Sequence, residues 1–194
     1  MIKENILVSH NQIIIRSVPF DIEKQTWTEQ DVEAGVIWDK DYIVLDPLVD
    51  NSFGSWFLID KKDKIELSSD SIRAAIFPFE IKNLDDFSIN TVAESIILHR
   101  DLSIDEGIEK EKGKYYPLNK TNTINFEIGS YELLYEVCLG IPEPTIVEEE
   151  VYYKFTFVKD DNPLFKVLKE DEYGWKFETK LNKEIKKLEN VIID

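Results

Sequence analysis

A chain of 194 residues is long enough for one domain burying roughly 70% of its unfolded surface, and 12% aromatic residues with only seven glycines and seven prolines argue against disorder. Its 23 basic and 39 acidic residues leave a net charge of −16, a field that repels phosphate backbones and anionic lipid; this argues against direct nucleic-acid binding and favours a basic protein as partner. The lone Cys138 excludes an intramolecular disulfide, and with neither a secretory signal pattern nor an apolar run of about 18 residues, a cytoplasmic protein without a membrane span is expected.

Short runs of β-branched and aromatic residues closed by Asp, Asn, Lys or Gly dominate the chain, the pattern of a β meander. Strands are expected at Ile6–Val8 and Gln12–Val18. Trp27 to Gly35 then reads as a short helix: Thr28 is its N-cap, Asp31 the acidic arm of a capping box, Trp27 and Val32 a hydrophobic staple and Gly35 the stop. Val36–Trp38 and Tyr42–Leu45 form a predicted hairpin across Asp39-Lys40-Asp41. Ser55–Ile59 and Ile65–Leu67 flank a polar turn. Ile72–Phe79 follows, with Pro78 placing its end at an edge or bulge, because proline cannot donate to a ladder.

Ile89–Leu98, Thr123–Ile128, Tyr131–Leu139 and Val151–Val158 complete about ten predicted strands. In the last, Val151, Tyr153, Phe155 and Phe157 share a core face, while Tyr152, Lys154 and Thr156 share a face expected to be wet. Leu181, Ile185, Leu188 and Ile192 recur at helical spacing and predict an amphipathic C-terminal helix. The fold class expected is mainly β: an antiparallel β-sandwich or partly open barrel with one short internal helix and that C-terminal helix. Residues 1–159 form the expected β domain, with an excursion at 101–122 rich in charge, and 160–194 form an extension ending in the helix.

Most catalytic templates fail on inventory, so no enzyme and no cofactor are expected. His10 and His99 occur without a GxSxG elbow. Zinc would have only His10, His99 and Cys138, far apart in sequence. A calcium loop starting at Asp101, Ser103 and Asp105 fails at Glu106, where glycine is required, and at Lys112. Gly107 and Gly113-Lys114 miss the P-loop spacing, and Tyr115 replaces its Ser or Thr.

What remains is acidic surface. Asp85 and Asp86, Asp101, Asp105, Glu106 and Glu109, and Glu148, Glu149 and Glu150 are the candidate partner-binding residues, read as a face that fills a basic cleft. The bland alternative is solvated loops that keep the protein soluble.

Several segments, in order, resemble the ComJ family of competence proteins, inhibitors of the DNA-entry nuclease. They are Ile6-Leu7-Val8-Ser9-His10-Asn11-Gln12-Ile13, Trp27-Thr28 leading to Val32 and Gly35, Ser55-Trp56-Phe57, Arg73-Ala74-Ala75-Ile76-Phe77-Pro78-Phe79, Gly129-Ser130-Tyr131-Glu132-Leu133 and Tyr152-Tyr153-Lys154-Phe155-Thr156-Phe157. The resemblance covers roughly residues 5 to 158 and departs at 101–122 and after Lys159. It transfers no inhibitory residue, since Trp27, Gly35, Arg73, Pro78, Phe79, Gly129 and Tyr131 read as structural. It implies a nuclease as the basic partner, occluded at its anion-binding cleft. Two other readings stay open: a binding or scaffold module that does not inhibit, and an enzyme working through carboxylates.

Overall fold

The computed structural model describes residues 1–8, 12–47, 54–92, 94–98 and 124–170. Among these residues the chain runs β1 (Ile2–Ile6), β2 (Ile13–Arg16), α1 (Glu29–Ala34), β3 (Val36–Asp39), β4 (Tyr42–Leu45), β5 (Ser55–Lys62), β6 (Ser71–Ile81), β7 (Ser88–Asn90), β8 (Ser95–Ile97), β9 (Gly129–Gly140), β10 (Glu150–Lys159) and β11 (Lys166–Lys169). A six-stranded sheet has the order β1-β5-β10-β9-β6-β11, and a five-stranded sheet the order β3-β4-β2-β7-β8. All neighbours are antiparallel except β5 and β10, which run parallel with Phe57 opposite Tyr153.

The two sheets share one core, as a sandwich does. Strict alternation along β9 and β10 turns Tyr131, Leu133, Tyr135 and Val137, and Tyr153, Phe155 and Phe157, toward the five-stranded sheet. Ile13, Ile15, Ile43, Leu45, Ile89 and Ile96 face them. At one end the rings cluster: the Phe157 centroid lies 5.3 Å from Phe126, 5.4 Å from Phe87 and 6.0 Å from Phe79. Burying each such ring contributes about 1.5–3 kcal/mol, with edge-to-face contact adding to it.

The outer face of the large sheet is not wet, contrary to the expectation for β10: Tyr152 and Thr156 are buried. Two connections lie against it. Ile65 packs on Ala74, Ile76 and Leu134, the Ser68 amide donates to the Glu136 carboxylate at 2.7 Å, and Asp70 accepts from the Tyr152 hydroxyl at 2.9 Å. From the β9–β10 connection, the Pro142 carbonyl and Glu143 meet Lys3 of β1. Ile65–Leu67 is therefore not a strand, because Ile65 and the Ser68 amide after it serve this cover.

Other local expectations shift for identifiable reasons. The first strand is Ile2–Ile6, paired with β5. Ile89–Leu98 breaks into the short strands β7 and β8, because Thr91 makes a turn: its amide donates to the Glu94 carbonyl, and its hydroxyl accepts from the Glu94 amide. Residues 124–128 join no ladder. The Tyr131 hydroxyl takes both the amide and the carbonyl of Glu127, a tyrosine corner that leaves that backbone nothing for a strand.

In α1 both arms of the Thr28–Asp31 capping box form, and Gly35 ends the helix at φ 67°. Val32 is 65% exposed, however, and Trp27 packs against Ile14, Tyr42 and Val44, so the expected staple does not form and Trp27 anchors the helix to the sheet instead. Strand β11 is an addition that composition hid: its Lys-Val-Leu-Lys pairs with β6 opposite Ala74–Ile76. The predicted C-terminal helix lies outside the described residues.

Candidate protein-binding surface

The two sheets join where β6 outruns β11. Beyond Ile76 the free edge of β6 has no strand neighbour among the described residues, and groups from the five-stranded sheet occupy its backbone. The Trp38 indole N–H donates to the Pro78 carbonyl at 3.1 Å. The Glu80 amide donates to the Lys40 carbonyl at 2.6 Å, and the Ser17 hydroxyl donates to the Glu80 carbonyl at 2.6 Å. Residues in a strand send N and O to the same side, so Pro78 sits where a missing N–H costs no ladder bond, which is its edge reading from sequence.

Beside this seam lies a groove of ≈ 240 Å³ lined by Trp38, Lys40, Pro78, Phe79, Glu80, Ser130 and Pro163. Its walls are mostly apolar. Lys40, itself 56% exposed, pairs with Glu80 at 2.8 Å. Glu132 is opposite Pro78 in the ladder, and its carboxyl is raised above the ordinary value by burial and by repulsion from Asp160, against a smaller pull from Lys166. Behind the β3–β4 turn, Asp41 is held by Lys24 at 3.3 Å and by Lys82. Burial pushes this carboxyl up, but the two lysine hydrogen bonds outweigh it and leave it below the ordinary range.

Among the described residues, the acids singled out from sequence lie at two ends of the sandwich. Asp85 and Asp86 lie in the β6–β7 turn, where the Asp85 amide donates to Asn83 and the Asp86 carboxylate meets Asn83 and, at 3.8 Å, Arg16. Glu148, Glu149 and Glu150 lead into β10 at the opposite end, with Glu150 opposite Gly140. Twelve residues of β9 separate these ends by roughly 35 Å. Asp101, Asp105, Glu106 and Glu109 lie outside the described residues. Elsewhere acids and lysines interleave, as in Glu66 with Lys62 and Lys64, Glu127 with Lys159 and Glu143 with Lys3.

Chemical groups are sparse in what is described. No group of three His, Cys, Asp or Glu side chains could hold a metal among the described residues, and His10, His99 and the 101–114 loop readings fall outside them. Cys138 is buried, its thiol pushed up to about 12 by burial and by Glu136 nearby, so it is not a nucleophile at neutral pH. Among the described residues no helix is long and apolar enough to cross a membrane. Sequence reasoning missed the seam groove. Pro78 inside a strand was its one legible signal, since Trp38 and Pro163 join it only through the fold.

The family model for Competence protein J (ComJ) matches residues 5–158. No curated protein matches the chain. Among solved structures, that of ComJ from Bacillus subtilis, described as an inhibitor of the DNA degrading activity of NucA, aligns over 82% of this chain and 96% of that chain with a TM-score of 0.51 and 12% sequence identity. At that identity the likeness is one of fold.

Proposed function

The chain belongs to the ComJ family, and on that premise we propose that it is a protein-binding inhibitor of a DNA-degrading nuclease with no catalysis of its own. Family membership across residues 5–158 carries this reading. The net charge of −16 supports the direction of recognition, because a nuclease must present a cationic cleft to DNA. In the finer reading, the inhibitor covers that cleft and excludes the phosphate backbone. Since charges of both signs interleave across the described surface, net charge supplies long-range steering and a local contact supplies the fit.

Purified protein titrated into a plasmid-degradation assay with the NucA nuclease tests the proposal. Cleavage is expected to fall to zero at a stoichiometric ratio. Binding without loss of cleavage would replace the inhibitor with a scaffold, and no binding would remove the nuclease as partner. The association rate is expected to reach about 10⁸ M⁻¹s⁻¹ at low salt and to fall steeply as salt rises. A rate indifferent to salt would remove steering from the mechanism.

A further inference from the structure

We infer that the seam groove between Trp38 and Pro163 is the seat of one arginine side chain of the partner protein, an inference that rests on the protein-binding reading above. Its ≈ 240 Å³ is below the about 300–1,000 Å³ of small-molecule pockets and suits a single long side chain. The Trp38 indole is fixed by its bond to the Pro78 carbonyl, so a flat aromatic surface is in place before anything binds. Together with Pro78 and Pro163, it suits a planar guanidinium and its stem better than a hydrated ammonium.

Charge decides the rest. Glu80 is among the lining residues, with its carboxylate against Lys40, and Glu132, outside the lining but opposite Pro78 in the ladder, faces repulsion from Asp160 that an incoming cation would relieve. In the free protein the exposed Lys40 neutralises Glu80. It acts as a placeholder that a bidentate guanidinium displaces, since an exposed lysine pair is weakly held. A second copy of this chain is a poor occupant, because two bodies of charge −16 repel.

Titrating isotope-labelled full chain with N-acetyl-arginine amide, while following the Trp38 indole N–H by NMR, tests the seat directly. A saturable shift is expected, with the uncharged N-acetyl-citrulline amide giving none. Glu80→Gln should weaken binding about tenfold or more, whereas Lys40→Met, which removes the competitor, should strengthen it. Equal shifts from both amides, or unchanged affinities in variants that melt like the parent, overturn the inference. The same variants then go into the nuclease assay. If the parent fails to inhibit while still binding arginine amide, the nuclease function falls and the seat stands. If Glu80→Gln inhibits as well as the parent, the seat is not the nuclease contact and the inference is overturned.

Discussion

The two faces of the six-stranded sheet use the same central strands yet different chemistry. Inward, β9 and β10 present tyrosine, phenylalanine, leucine and valine to a dry core. Outward, one residue along, they present Glu136, Cys138, Tyr152 and Thr156, which are also buried. The inner face is held by non-directional contact, with each large ring touching several others. The outer face combines small apolar clusters, such as Ala74, Ile76 and Leu134 under Ile65, with pairwise bonds, Glu136 with the Ser68 amide and Tyr152 with Asp70. Alternation therefore tells which residues part company, but not that the second face is solvated.

The comparison breaks or sharpens at four positions. Phe157→Ala should cost the most, about 3–5 kcal/mol in chemical denaturation, because it empties the centre of the aromatic cluster; a loss no larger than the outer-face changes would erase the contrast. Glu136→Ala should cost about 1–3 kcal/mol, since the Ser68 amide loses its acceptor and Lys154, 3.6 Å away, loses its counter-charge. Adding Lys154→Met should restore part of that loss. Tyr152→Phe, which removes the hydroxyl that bonds Asp70 and touches Cys138, should cost about 1 kcal/mol by the same measurement.

The smallest effect lies at the seam and shows as a pH dependence. The Asp41 carboxyl is lower in the folded protein than its ordinary value of 3.8. Its stabilisation is therefore complete above that unfolded value and lost as pH falls through the lower, folded one. Thermal melts from pH 5 to pH 2 should show stability declining, and Asp41→Asn should flatten part of the decline. An identical decline in the variant would assign it to other carboxylates.

The local chemistry of this chain was legible where a few neighbouring residues decide the outcome. Thr28, Asp31 and Gly35 set the limits of α1, the Lys40-Asp41 turn made a hairpin, and Pro78 marked an open edge. Legibility ended where distant parts compete for the same backbone or surface. Ile65–Leu67 looks like a strand until the outer face needs a cover, and residues 124–128 do until Tyr131 claims Glu127. The groove was illegible for the same reason: β3, β6 and the connection after β10 supply it, and no spacing links them. The acidic clusters were easy to see, but sequence carries no information about which carboxylates face a lysine, as Glu66, Glu127 and Glu143 do.

The parallel contact between β5 and β10 sets a timetable for synthesis. Ser55 bonds to the Val151 carbonyl across 96 residues of sequence, and β5 has β1 as its other neighbour. As the chain leaves the ribosome, β1 and β5 emerge early as a two-stranded ribbon that has to wait for the β9–β10 hairpin before it can join a larger sheet. Such non-local closure makes folding slow, and the waiting ribbon exposes an open edge that chaperones would need to shield.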